Sequence, residues 1–267
     1  MGLFGGGASD NAEMPFFGHL DALRPRLVRS AAVLLLLMAA AFACKGWLMA
    51  VIEGPESADF PTNRFFAWLA ERMSSDALRI NGEPLTLINT EMAGQFNLHL
   101  SLSFYTALIL SIPYFLAEIW GFIRPALTDP ERRTGRKFVF YVTACFFAGV
   151  LFGYFVLAPL SVNFLAGYSV GGQIRNMIEI GSYVSLVVNL SLVSGLVFLL
   201  PVAVSLLSRA GILSASFMKR YRRHALVVLA ALSALITPPD AASMILVMLP
   251  LYGLYELSIG IAGRHNP

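Results

Sequence analysis

Apolar residues run along this chain in long blocks separated by short polar connections, without the narrow apolar stripe of a surface helix on a soluble protein. Four blocks, 30–52, 96–123, 138–159 and 182–207, each exceed the roughly 20 residues needed to carry an α-helix across a hydrocarbon core of about 30 Å. Pro113 predicts a kink in the second, tolerated where neighbouring helices re-satisfy the freed carbonyl. A fifth block, 225–236, stops at Thr237-Pro238-Pro239-Asp240 after only about 18 Å of helix. A sixth, 241–261, is interrupted by Pro250. The last two read either as a re-entrant hairpin or as two short spans that thin the bilayer locally. The pattern predicts an all-α polytopic membrane protein with six transmembrane helices, the last two short.

The connections differ in character. Residues 1–13 are Gly-rich and read as a disordered tail, and 264–267 as a C-terminal tail, around one membrane domain over 14–263. No cleavable signal peptide is recognisable, since the first apolar run is too long and lacks a small-residue cleavage site. Residues 14–29 are amphipathic and basic, which predicts a helix lying on the membrane surface. Residues 53–95 form a long polar excursion that reads as a folded cap. Within it Asn63 to Met73 predicts an interfacial helix behind an Asn cap, and Asn81-Gly82 between alternating apolar residues predicts a hairpin over Leu78–Leu87. The segment 160–181 is Gly-rich and nearly neutral.

Composition agrees with this division. The chain has 267 residues, 57% of them hydrophobic and 13% charged, half the charged share of a soluble domain (about 25%). The formal net charge of +3 gives no reason to expect nucleic acid, but its distribution fixes an orientation. With both termini inside, fourteen of the nineteen Lys and Arg fall in the N-terminal segment, two basic loops and the C-terminal tail. The other side keeps Lys45, Arg64, Arg72, Arg79 and Arg175, and the positive-inside rule therefore predicts N-in and C-in. Cys44 and Cys145 lie in apolar segments and read as buried free thiols.

No nucleotide-binding loop, metal-ligand spacing or cofactor motif is present, and no cofactor is predicted. His19 and His224 flank basic boundaries, His99 lies near the far end of the second span, and His265 is in the tail, so no Ser–His pair at depth is indicated. The informative groups are carboxylates in or near the membrane: Glu118, Asp240 and Glu256. Each either pairs locally or caps a helix, or serves function. The stretch Trp120–Lys137 places Asp129 and Glu131 among Arg124, Arg132, Arg133, Arg136 and Lys137. A carboxylate there is either neutralised locally or free to receive a cationic partner.

Six runs occurring in one order resemble the TatC family, the polytopic receptor subunit of the twin-arginine protein translocase. They are His19–Arg24 (HLDALR), Trp120–Arg133 (WGFIRPALTDPERR), Gly149–Leu160, Phe198–Val202 (FLLPV), Ile236–Asp240 (ITPPD) and Leu249–Glu256 (LPLYGLYE). The resemblance implies a concave, glove-like helix bundle in the bacterial inner membrane and a receptor rather than an enzyme. It implies binding of the twin-arginine signal peptides of folded cargo at the cytoplasmic face. It also implies association with single-span TatA- and TatB-type partners, a homo-oligomeric receptor complex, and export driven by the proton-motive force. Glu131 matches the family's recognition glutamate, with Asp21, Arg24, His19 and Phe122 around it. Thr237, Met244 and Leu235 fall where the partner helix contacts the fifth span.

The chain departs from the family pattern at three places. The second recognition glutamate, usually in H-L-x-E-L-R, is Ala22, with Asp21 one residue earlier, a rotation of about 100° on a helix. The usual buried glutamate of the fourth span is Leu199, while Glu118 stands where a Gln is common. Met244 replaces a residue that is often polar. Two other readings stay open: a proton-coupled small-molecule transporter using Glu118 and Glu256, and a TatC-like paralogue with altered signal recognition.

Overall fold

The structure is a computed structural model that describes residues 16–74, 80, 85–123, 129–169, 176–209, 211–237 and 241–265. Within helices, the side chains of 16–22, 123, 129–137, 209, 241–243 and 264–265 lie outside the description. The elements, in order, are α1 (Phe16–Ala43), α2 (Lys45–Glu53), α3 (Pro61–Met73), β1 (Leu87–Ile88), α4 (Gly94–Ile123), α5 (Asp129–Phe152), α6 (Ala158–Gly167), β2 (Ile178–Glu179), α7 (Ile180–Val197), α8 (Leu200–Arg209), α9 (Ala215–Arg220), α10 (Arg222–Ile236) and α11 (Ala241–His265). A 3-10 turn, Gly54–Glu56, follows α2, and a π-helical turn, Gly153–Leu157, joins α5 to α6.

Five stretches are long and apolar enough to cross a membrane: Leu23–Ala43, Gly94–Phe122, Phe138–Gly167, Ile180–Ser208 and Met244–Gly263. The multi-pass helical architecture read from the sequence is therefore observed. Several boundaries differ. The basic surface segment and the first span are one helix, α1, which runs unbroken through Pro25 and stops at Cys44 rather than at Ile52. Cys44 is free and exposed, not buried, because it sits in that break; Cys145 is free and half-buried. The third span continues through the π turn to Gly167, well into the segment read as a Gly-rich loop. α10 is short, as expected, whereas α11 runs 25 residues straight through Pro250.

The centre of the molecule is the seam between α5 and α7. Gly149 and Gly153, spaced as small-xxx-small, face Ser191, Ser194 and Gly195. A Cβ on Gly149 would lie 2.5 Å from the Ser194 carbonyl oxygen, and one on Gly153 2.6 Å from that of Leu190. The two backbones thus touch, which is how helices pack in lipid where no hydrophobic force draws them together. Two apolar clusters flank the seam. One joins Leu48, Ile52, Leu98 and Leu102 to Ala158, Val162 and the outer half of α7. The other joins Leu157 and Leu190 to Leu229 of α10 and to Val247 and Leu251 of α11. α1 lies along α4, and α11 packs on both α8 and α10.

The cap is pinned to this seam. Tyr183 Oη donates to the Ile52 carbonyl at 2.9 Å, and Tyr154 Oη donates to that of Val51. Thr62 donates its hydroxyl to the Phe155 carbonyl, and the Phe60 ring stacks on Phe155 with centroids 5.3 Å apart. Asn63 is not the helix cap its sequence context suggested. It lies inside α3, 1% exposed, and its amide donates to the Pro55 and Ser57 carbonyls at 3.0 and 2.8 Å. Pro61 starts that helix instead, its missing N–H costing nothing at the first turn. Phe65 and Trp68 face outward from α3, which suits an interfacial helix. The hairpin read at Asn81-Gly82 falls outside the described residues. The strand that follows, Leu87–Ile88, pairs in parallel with Ile178–Glu179.

Two predictions follow from this packing. Gly153→Val should force α5 and α7 apart and destabilise the protein by about 1–3 kcal/mol, the usual range for overpacking. The equivalent change at Gly167, where a Cβ meets nothing within 4 Å, should leave the midpoint of unfolding in detergent unchanged. The second concerns Glu56, whose Oε2 is buried without a hydrogen-bond partner and whose carboxyl is raised above its ordinary value, first by burial and then by the Glu53 charge. With the folded value above the unfolded one, stability is full below the ordinary carboxylate range and falls as pH rises through the raised value. Thermal midpoints at stepped pH should show that fall, and Glu56→Gln should flatten it.

Candidate functional site

Of the residues singled out from the sequence, Glu118 and Phe122 lie at the end of α4 away from the cap. There α4 ends in Tyr114, Glu118, Trp120, Gly121 and Phe122, beside the first turns of α1 that carry arginines. Arg26 Nη1 donates to the Glu118 carbonyl oxygen at 2.9 Å, and its guanidinium lies 5.9 Å from the Phe122 ring centroid. Arg29 approaches Glu118 Oε2 at 3.5 Å, while Tyr114 Oη donates to Oε1 at 2.8 Å. Gly121 makes room for this arrangement, since a Cβ there would sit 2.6 Å from Arg26 Nη1. Across the connecting loop, the Trp120 ring packs 5.0 Å from that of Phe138. One clamp therefore ties α1 to the end of α4, and another ties α4 to α5, on either side of the 124–137 stretch.

This geometry explains why Glu118 is tolerated. Its side chain is 15% exposed and meets a guanidinium and a phenol, so burial is compensated by an opposite charge and a hydrogen bond. The same solution recurs at the far end of the chain. Tyr252 Oη donates to Glu256 Oε1 at 3.0 Å, one helical turn away as with Tyr114 and Glu118. Arg222 Nη2 binds Glu256 Oε2 at 2.7 Å. This second cluster ties α10 to α11, and Tyr255 Oη, donating to the Met218 carbonyl at 2.9 Å, adds α9.

The remaining candidates fall in different places. Arg24 is exposed, and at two residues from Arg26 it projects roughly 200° around the helix. The arginine that meets Phe122 is thus Arg26. The side chains of His19, Asp21 and Glu131, and residue Asp240 as a whole, lie outside the described residues. Thr237 is buried, with its hydroxyl donating to the Ser233 carbonyl at 2.8 Å. Met244 is half-buried, and Leu235 is 83% exposed on the outer face of α10 with Val227 and Val228. Among the described residues no group of three His, Cys, Asp or Glu side chains could hold a metal. Arg26, Arg29, Tyr114 and Gly121 were not singled out in the sequence. Their signal was the pairing of i, i+3 arginines on α1 with an i, i+4 Tyr–Glu pair on α4, legible only once those helices are known to be neighbours.

Apolar helices of spanning length, closed at one end by a folded cap and at the other by arginine–carboxylate clamps, define a multi-pass membrane protein. A family profile described as Sec-independent protein translocase protein (TatC) matches residues 18–250. The chain belongs to the TatC family. It is 35% identical over 257 residues to the Sec-independent protein translocase protein TatC of Blattabacterium sp. subsp. Periplaneta americana, covering 95% of this chain and 97% of that one. The protein of the same name from Deinococcus radiodurans is 34% identical, with 93% and 85% covered. A crystal structure of the twin-arginine translocase receptor TatC superposes with a TM-score of 0.67 at 25% identity, covering 91% of this chain and 97% of the other.

The two arginines of the α1–α4 clamp should differ in weight. Arg26 is half-buried, with a directional bond and an aromatic face beneath it, and Arg26→Ala should cost about 1–2 kcal/mol in denaturant unfolding. Arg29, with 58% of its side chain exposed, is screened by solvent, and Arg29→Ala should cost under about 1 kcal/mol. The reverse order would overturn this account of the clamp.

Proposed function

We propose that this chain is the receptor subunit of a twin-arginine protein translocase. It binds the twin-arginine signal peptides of folded proteins at the cytoplasmic face. With TatA- and TatB-type single-span partners it exports them across the bacterial inner membrane, driven by the proton-motive force. Family membership supports this reading, and the observation that carries it to particular residues is the α1–α4 clamp. Arg26 and Arg29 hold α1, which carries His19, Asp21 and Arg24, against the end of α4, eight residues in sequence before Glu131 in the first turn of α5. Two guanidinium groups need carboxylates in a partly desolvated place, because bidentate Arg–carboxylate pairs are strong and geometrically selective. Glu131 supplies one such carboxylate and Asp21 shapes the second contact, in place of the glutamate that Ala22 lacks.

In this reading the molecule has six spans with both termini cytoplasmic. α10 is the fifth span; its 15 residues rise about 22 Å, which requires a locally thinned bilayer. The outer face of α10 around Leu235 is the seat of a single-span partner, with Thr237 and Met244 bordering it. Several receptor copies assemble into one complex. The transporter reading is weakened by the two clusters, because Glu118 and Glu256 each already hold an arginine and a tyrosine on separate helix pairs. Neither is a free relay acid.

Glu131→Ala and Glu131→Gln should both abolish crosslinking of a twin-arginine signal peptide to residues 124–137 and stop export in a strain lacking its own TatC. The Asp21→Asn variant should weaken both by a smaller factor. Unchanged crosslinking and export in both Glu131 variants would sink the assignment. Failure of the well-inserted wild-type chain to complement would favour a paralogue with altered recognition.

A further inference from the structure

α3 turns outward a face that the rest of the chain does not use. Asn63 and Ala70, 1% and 3% exposed, fix its inner side against the molecule. On the opposite side Arg64, Trp68 and Arg72 follow one another at i, i+4 spacing, with Phe65 beside them, and all four are exposed. The stripe rises about 12 Å from one arginine to the other. Arg72 lies over the Trp68 ring at 5.4 Å, and the Phe65 ring stacks on Trp68 with centroids 6.2 Å apart. Neither guanidinium has a carboxylate partner among the described residues, and Glu71, the acid of this helix, is engaged within the chain.

The level of the stripe is set by the third span. Thr62 donates its hydroxyl to the Phe155 carbonyl and Phe60 stacks on the Phe155 ring, so the start of α3 is pinned at Phe155. Phe155 lies roughly 26 Å of helix from Phe138, where that span begins, against a hydrocarbon core of about 30 Å. α3 therefore lies at the boundary between hydrocarbon and headgroups on the cap side. At that level aromatic rings are favoured, and cationic side chains meet phosphates.

We propose that this face of α3 is a binding surface for the phosphate headgroups of acidic phospholipids in the cap-side leaflet. Trp68 and Phe65 enter the boundary layer, and Arg64 and Arg72 each grip a phosphate through the planar fork of the guanidinium. Stacking of Arg72 on the indole holds one fork in place before lipid arrives. Acidic lipids are preferred over zwitterionic ones, because the latter bring a cation with each phosphate. Headgroups held there fix the depth of the cap and, through Thr62 and Phe60, of the third span. The proposal rests on membrane placement and is independent of cargo recognition at Glu131.

The test uses the full chain in liposomes of phosphatidylcholine and phosphatidylglycerol, with brominated acyl chains on one lipid or the other. Bromine quenches tryptophan at short range, and the difference between the wild type and Trp68→Phe isolates Trp68 from Trp47 and Trp120. Both lipids should quench Trp68, with phosphatidylglycerol favoured about fivefold to twentyfold. Arg64→Gln combined with Arg72→Gln should bring the two lipids to parity, and the paired lysine variant should keep part of the preference. Equal quenching by the two lipids in the wild type, or a preference that survives in the paired glutamine variant, would overturn the proposal. Quenching of Trp68 by neither lipid would also overturn it, and shielding from aqueous acrylamide would then assign the face to a protein contact.

Discussion

The close approach of α5 and α7 is the contact on which the rest of the structure depends. In a bilayer, lipid tails are as apolar as leucine, so helices gain little by merely burying apolar surface against each other. They gain by fitting closely, and Gly149, Gly153, Ser191, Ser194 and Gly195 let two backbones meet where larger side chains would hold them apart. Both apolar clusters lean on this seam, one with α2 and α4 and the other with α10 and α11. The cap hangs from it through the Tyr154 and Tyr183 hydroxyls. A rigid centre of this kind leaves the outer helices free to carry exposed faces for other molecules.

Charge is handled at the ends of the bundle by one repeated device. Tyr114–Glu118–Arg29 and Tyr252–Glu256–Arg222 each place a tyrosine one turn before a glutamate and bring an arginine from the neighbouring helix. In each cluster the partners replace part of the hydration that the carboxylate loses close to the membrane. The cost of losing one partner ties helix to helix. In the first cluster the tie sets α1 beside the end of α4. Arg26, seated against Gly121 and over Phe122, does most of this positioning.

Several side chains are left without partners among the described residues. Glu56 is half-buried in the cap, and burial raises its carboxyl above the ordinary value. Asn189 faces outward from a span, and Leu235 with Val227 and Val228 gives α10 an unpartnered apolar side. The spans bury only part of their surface within the described residues, and in a bilayer lipid meets the rest.

The sequence by itself determined the membrane class, four of the long spans to within several residues at most ends, the short α10, and the family. These follow from the length and uniformity of apolar runs and from contiguous motifs, both properties of local chain. It misread elements wherever tertiary contacts overrode local preference. Pro250 lies inside an unbroken helix, Asn63 binds the 3-10 turn rather than capping α3, and the segment after Leu160 stays helical because it packs on the cap and α7. At the candidate site Phe122 and Glu118 were legible, but the arginine that meets Phe122 was not. Arg24 and Arg26 are equivalent in composition and differ only in which side of α1 they occupy. Only the packing of α1 along α4 decides that Arg26 turns inward and Arg24 outward, because a helix fixes the angle between two residues and leaves to its neighbours which of them is buried.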